Sequence, residues 1–459
     1  MASANETGLG NKATRIRLFS FARPHMRTFH MAWLAFFLAF FGWFGVAPLM
    51  AVARDDLGLT KTEVGNTVIA SVAATIVARL VIGWLADRIG PRLAYSGLLL
   101  LGSLPVMSIG LAQSYESFLL FRLAIGVIGA SFVLTQYHTS VMFAPNVVGT
   151  ANATTAGWGN LGGGVTQMAM PLVLAGVLAV TGASEALGWR LAMVAPGVAL
   201  FGMGIAYYFL TQDTPDGNFK DLRAQGRMPA ASSTRGGFME AARDHRVWAL
   251  FAIYAASFGI ELTINNVAAL YFHDRFGLGL ASAGLVAGLF GLMNIFARSM
   301  GGILGDRSAI HWGLQGRVVF LGAVLLLEGV ALIVFSQMAA LTLAVAALIV
   351  FSVLVQMTEG ATYSVVPFIN RRALGSVAGI VGAGGNAGAV MAGFLFRAEG
   401  LETQTAFLFL GIAVLAISPM VMLVRFSRQE EEEQRVALAD ARGAAPQPLR
   451  RPVEGLAGD

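Results

Sequence analysis

Cysteine is absent from the 459 residues. That excludes disulfides, a thiolate nucleophile and any cysteine-based metal centre, and it leaves the redox state of the compartment open. Charge is scarce too. Asp, Glu, Lys and Arg make up 12% of the chain, about half the share in a soluble domain, while 56% of residues are hydrophobic. No H-E-x-x-H, nucleophile elbow or cluster of histidines is present, so nothing points to an enzyme or a bound metal. The run Gly162-Gly163-Gly164 lacks a following Gly-Lys-Ser/Thr, which excludes a nucleotide phosphate loop, and no cofactor is implied. A cleaved leader is not expected, because the first apolar run, from about Met31 to Ala53, is too long and has no small-residue cleavage motif. The net charge of +5 is scattered over loops rather than gathered in a patch, which argues against nucleic acid as a partner.

What remains is apolar runs of spanning length, near 30–53, 65–86, 93–112, 116–140, 149–178, 190–211, 247–270, 281–303, 316–337, 339–361, 373–396 and 403–425. The long polar interior stretch from Thr211 to Arg246 splits them into two sets of six. The expected organisation is an amino-terminal segment 1–29, a six-helix bundle 30–211, a linker 212–246, a second bundle 247–425 and a tail 426–459. The tail holds Glu430-Glu431-Glu432-Glu433 and then Ala, Pro and Arg residues, a composition that predicts solvated disorder. Lys12, Arg15, Arg17, Arg23 and Arg27 precede the first span, and Arg88, Arg92, the linker cations, Arg307, Arg317, Arg371 and Arg372 fall on the same side. The excess of basic residues there predicts that both termini and the linker are cytoplasmic, in an inner (plasma) membrane.

Two arginines lie inside spans, in matching patterns. One reads Arg79-Leu-Val-Ile-Gly83-Trp-Leu-Ala-Asp87-Arg88, the other Arg298-Ser-Met-Gly-Gly302-Ile-Leu-Gly-Asp306-Arg307. A guanidinium at the centre of a span costs about 2.5–3.5 kcal/mol on insertion scales, so two of them in register imply a cavity, a partner or an anion. The fifth and eleventh spans hold a second matched pair, Gly159-Asn160-Leu161-Gly162 and Gly385-Asn386-Ala387-Gly388. Glycine-rich spans pack closely with no ligand involved. An Asn at the same point of both halves needs a further reason, because a buried amide requires partners.

The segment Gly83 to Arg92, with Gly302 to Arg307 as its weaker counterpart, resembles the loop signature of the major facilitator superfamily. In it, Gly83 permits close helix approach, while Asp87, Arg88, Asp306 and Arg307 are gating residues that cap helix ends or pair across the gate. The glycine-asparagine stretches resemble the two signatures of the nitrate/nitrite porter family. Gln136-Tyr137-x-x-Ser140, Gly259-Ile-Glu261-Leu-Thr263 and Gly291-Leu-Met-Asn294-Ile-Phe296-Ala297-Arg298 are similar to its proton-coupled uptake branch. The resemblance implies an all-α membrane protein with twelve transmembrane helices in two six-helix bundles. It further implies a monomeric secondary transporter of nitrate, possibly also of nitrite, with Arg79 and Arg298 clamping the anion and Asn160, Tyr254 and Phe258 nearby.

The chemistry fits that implication. Guanidinium offers planar, paired donors that stay charged, matching a flat anion with equivalent oxygens. Tyr254 and Phe258 stand one helical turn apart and present ring faces or edges to such an anion, as does Phe132; Gly159, Gly385 and Asn386 belong to the same ligand-facing stretches. Nitrate entry against a negative interior costs about 2.3 kcal/mol per 100 mV, so import by symport needs titrating groups within the spans. Glu261 and His138 lead the candidates, ahead of Glu328 and Glu359. Nitrate/nitrite antiport, which needs no such group, is the alternative. Arg79→Lys and Arg298→Lys are each expected to cut nitrate uptake at least ~10-fold with unchanged protein in the membrane, because lysine loses the paired donors and deprotonates when desolvated. Near-normal uptake by either variant would place the site elsewhere.

Overall fold

The computed structural model describes residues 11–21, 23–227, 237–278, 280–397 and 401–442, and among these the chain is helical with no β-strand. The first six spans are α1 (Pro24–Phe44), α2 (Lys61–Ile89), α3 (Pro91–Ser108), α4 (Tyr115–Met142), α5 (Val148–Thr181) and α6 (Glu185–Leu210). The second six are α7 (His245–Phe276), α8 (280–311), α9 (314–336), α10 (Leu341–Val365), α11 (Leu374–Arg397) and α12 (Thr403–Ile417). Among the described residues, nine helical stretches are long and apolar enough to cross a bilayer, or ten with the bent α5. The count rises to twelve for two physical reasons. The stretch Leu285–Ser336 turns back at Trp312 and Gly313, whose φ of 65° suits glycine, and so holds two spans. Helix α2 supplies a further span, since its residues 66–83 are mostly apolar and hold Arg79 as their one charge.

Local chemistry sets several boundaries. Helix α1 stops at Gly45, before Pro48, and a separate short helix, Met50–Leu57, follows, so the first apolar run does not form one helix to residue 53. Thr60 and Glu63 form a reciprocal capping box at the start of α2. Helix α5 bends by 46° just ahead of Pro171, which has no N–H to give to the preceding turn. Apolar side chains such as Val77, Leu101, Leu172, Leu285 and Val350 point outward, as a lipid-facing belt requires.

Helices α1–α6 pack together, as do α7–α12, and the two bundles meet mainly through α2 against α11 and α5 against α8 and α10. Two carboxylates join them in a symmetric way. Asp87 of α2 accepts the Gly375 and Ser376 N–H groups at the start of α11, both at 3.0 Å, and the Ser376 hydroxyl at 2.8 Å. Asp306 of α8 accepts the Gly149 and Thr150 N–H groups at the start of α5, at 3.1 and 2.7 Å. Each is an anion on a helix N-terminus of the opposite bundle. Gly83 and Gly375 make this closeness possible: a Cβ on Gly83 would stand 2.3 Å from the Gly375 carbonyl oxygen. Arg88 and Arg307 are exposed and bond to neither carboxylate; Arg88 lies over Trp84. These contacts close the end of the molecule that carries the amino-terminal segment, the linker and the tail, here termed the linker face.

Two expectations from the sequence need correction. Arg317 is not a loop cation in water: it is fully buried, donating to Asp306 and to the Pro145 carbonyl at 2.9 Å, and so ties the two bundles together. Nor is the tail disordered from residue 426. Residues Arg428–Arg442 form a helix, α13, opened by a Ser427–Glu430 capping box. Glu431 accepts the Leu314 and Gln315 N–H groups at 2.8 Å, Gln434 accepts from Arg371, and Ala437, Leu438 and Ala439 are buried. An amphipathic helix with an acidic first turn found helix ends and cations to bind. Residues 443–459 lie outside the described residues, as do 228–236 of the linker.

Because the chain has no cysteine, one introduced thiol reports on this closure. Ser376→Cys in a Gly83→Val background is expected to react at least ~10-fold faster with an impermeant maleimide than Ser376→Cys alone, equivalent to ~1.4 kcal/mol of lost closed-state bias. Equal rates would mean that the Gly83 contact does not hold the face shut.

Candidate functional site

Arg79 and Arg298 are buried at the interface of the bundles, each rooted in one bundle and lying against the other. Arg79 of α2 donates to the carbonyls of Gly382 on α11 and Gly129 on α4, the latter at 3.3 Å. Arg298 of α8 runs beside Gly157 of α5, where a Cβ would come within 3.2 Å of its side chain. Both guanidiniums lie over the same two rings. Arg79 is 5.1 Å from the Phe132 centroid and 5.1 Å from that of Phe258; Arg298 is 5.5 and 5.9 Å from them. The matched arginines therefore share one site.

The wall between them is aromatic. Phe132, Tyr254 and Phe258 stand nearly parallel, with interplanar angles of 11° to 18°, and Tyr363 of α10 meets Phe132 edge-on at 4.8 Å. Such rings give cations a favourable quadrupole without neutralising them. Gly385 is required here, since a Cβ would meet the Phe258 ring at 2.4 Å; Gly159 meets Phe36 in the same way, and Phe36 in turn packs on Phe132.

The two arginines differ in their anionic company. Arg79 has only carbonyl partners, and its Nη2 has no hydrogen-bond partner. Arg298 pairs with Glu359 of α10 through Nη1, lies 3.6 Å from Glu261 through the same nitrogen, and donates from Nη2 to the Tyr254 hydroxyl at 2.8 Å; its Nε has no partner. Glu261 also accepts from Asn294 at 2.9 Å and from Asn160 of the opposite bundle at 3.3 Å. A guanidinium N–H left over at a buried centre is a donor in want of an acceptor.

Arg79, Arg298, Phe132, Tyr254, Phe258, Asn160 and Glu261 are thus brought together, with Gly159 and Gly385 behind the rings. Asn386 is buried, and neither of its amide atoms has a partner. His138 is not part of the cluster. Its two ring nitrogens are taken up by the Tyr207 hydroxyl and the Gln212 carbonyl, both at 2.7 Å, which fixes it between α4, α6 and the linker. Tyr363 escaped the reading of the sequence; its one signal is its position a helical turn after Glu359. Among the described residues no group of His, Asp and Glu could hold a metal ion.

Comparison with known proteins settles the family. The family model described as Major Facilitator Superfamily matches residues 32–393. The chain is 41% identical over 417 residues to the "High-affinity nitrate transporter 2.3" of Oryza sativa subsp. japonica, covering 90% of this chain and 80% of that protein. The chain belongs to the major facilitator superfamily, in its nitrate porter family. It is also 40% identical to the "High affinity nitrate transporter 2.5" of Arabidopsis thaliana, covering 91% of this chain and 83% of that one. The "Nitrate/nitrite transporter NrtP" of Picosynechococcus sp. is 29% identical, over 79% and 83% of the two chains. Among solved structures, the proton:xylose symporter XylE aligns with a TM-score of 0.67 at 13% identity, covering 90% of this chain and 98% of that one. The human organic anion transporter MFSD10 aligns at 0.61 and 15%, covering 87% and 99%. These last two bear on the fold alone, which they share over nearly the whole chain.

The site makes a sharp demand on α11. Gly385→Ile is expected to lower transport more than ~10-fold by driving Phe258 off its neighbours, whereas Gly393→Ile on the same helix, where an added Cβ meets nothing, is tolerated. Equal transport by both variants in vesicles would detach Phe258 from function.

Proposed function

We propose that this porter takes up nitrate by alternating access, coupled to protons, with the linker face in the cytoplasm. The observation that carries the reading is the pair of buried guanidiniums, each with an N–H in need of an acceptor, over one pair of rings. A planar monovalent anion between Arg79 and Arg298 would take those donors while its faces rest on apolar rings. The relatives named as nitrate transporters supply the substrate. The basic residues near the termini and linker support a cytoplasmic position for that face, in an inner or plasma membrane. Closure of that face by Asp87 and Asp306 corresponds to a state that blocks release into the cell, and the protein would act as a monomer with the bilayer as its setting.

The position of Glu261 supports coupling. It belongs to the second bundle, yet its carboxylate accepts from Asn160 of the first. A proton on Glu261 weakens that bond and the attraction of Arg298, so protonation bears directly on bundle separation. In reconstituted vesicles the wild type should take up nitrate against its gradient when the outside is acidic and should raise external pH as nitrate is added. Glu261→Gln should lose that concentrative uptake yet retain exchange of nitrate across equal pH. A wild type that moves no protons, and runs only against nitrite or nitrate on the opposite side, would make the protein an antiporter.

A further inference from the structure

Two carboxylates converge on Arg298, and the proposed coupling uses only one of them. Glu359 is fully buried on α10, one position before Gly360, whose own Cβ position lies 2.1 Å from the Arg298 carbonyl oxygen. Gly301 likewise faces the Met357 carbonyl, so α8 and α10 touch backbone to backbone and press the Glu359 side chain onto the guanidinium. Its Oε2 takes Nη1 of Arg298, and its Oε1 has no hydrogen-bond partner. Glu261 is held differently, by two asparagine amides as well as the arginine. The Glu359 carboxylate thus sits on Nη1, a donor of Arg298 that a bound anion would draw on besides the free Nε.

Charge makes this a competition. Arg79, Arg298, Glu261 and Glu359 sum to zero when all are ionised, so a nitrate added to them brings an uncompensated negative charge into a buried site. A proton on the carboxylate removes that excess and at the same time frees Nη1. We infer that Glu359 is the internal rival of nitrate at Arg298: its carboxylate occupies the guanidinium when deprotonated and cedes it to the anion on taking a proton. This rests on the proposed reading of the site as a nitrate site. No bond between heavy atoms changes; one proton from the side that nitrate enters forms an O–H bond on the Glu359 carboxylate and is lost again as nitrate departs. The return of the carboxylate to Nη1 then displaces the anion on the releasing side. The charged and titratable groups facing Glu359 are Arg298 and Glu328 from α8 and α9, Glu261 and Tyr254 from α7, Tyr363 from its own helix and Arg79 from α2. Of these, Glu261 alone shares its arginine nitrogen, so the two carboxylates divide the work: Glu261 reports protonation to the opposite bundle, Glu359 to the anion.

Glu359→Gln keeps the shape of the protonated form and cannot titrate. Nitrate binding to the purified wild type, measured by calorimetry from acidic to mildly alkaline pH, should weaken as pH rises. In Glu359→Gln the slope should be smaller by about one factor of ten per pH unit, the signature of one linked proton, and binding at the alkaline end should be tighter than wild type. In vesicles the charge moved per nitrate should change by one elementary charge. Glu328→Gln, which removes another buried carboxyl whose oxygens bond to neither arginine, should keep the wild-type slope. An unchanged slope and charge in Glu359→Gln, with proton movement intact in the wild type, would overturn the inference and leave symport standing. A folded Glu359→Gln that binds no nitrate at any pH would overturn it too, making Glu359 a prop for Arg298. A wild type that moves no protons sinks the symport reading instead; the rivalry at Arg298 is then decided by whether the pH slope of binding still falls in the variant.

Discussion

The cost of holding two guanidiniums out of water governs this fold. Neither arginine is sheltered by its own bundle alone. Arg79 spends donors on a carbonyl of α11, and Arg298 lies along α5. The glycines at Gly382 and Gly157 keep those opposite helices thin enough for a long side chain to reach them, and the phenyl rings of Phe132 and Phe258 fill the space without cancelling charge. Pulling the bundles apart at this level takes from Arg79 its Gly382 carbonyl and the Phe258 ring, and from Arg298 the Phe132 ring, so the charge at the centre and the contact of the two halves are one energetic problem.

The same logic recurs at the linker face with the sign reversed. There the buried charges are carboxylates, Asp87 and Asp306, and their partners are N–H groups at the starts of α11 and α5. The symmetry is incomplete, because Asp306 also binds Arg317 whereas Asp87 has no buried cation of that kind among the contacts around it. The two latches are therefore unequal, and the Asp306 side holds the more tightly cross-linked set of groups.

Much of this was legible in the sequence because it is written twice. The repeat of Arg, Gly, Asp and Arg at fixed spacing located the central arginines, the carboxylates that join the bundles and the two-bundle plan. What was not legible depends on which helix comes to face which. Asp87 could be read as a helix cap, but not that the cap belongs to the other bundle. Glu359 stood behind Glu261 and His138 as a titrating candidate until the backbone contact between Gly360 and Arg298 singled it out. Arg317 looked like one more loop cation, since charge counting near span ends assumes water around each side chain. The acidic composition of the tail spoke for disorder, because the docking partners of α13, among them the N–H groups of Leu314 and Gln315, are far away in the chain.

The contact of Gly83 with Gly375 has a mechanical meaning. Side chains can change rotamer and let two helices settle at a range of separations, but bare backbone meeting bare backbone has no such slack. The closed face therefore has a hard end-stop: the bundles are either seated against each other or parted, with little ground between. Such a detent favours a switch with two sharp positions over a gradual hinge.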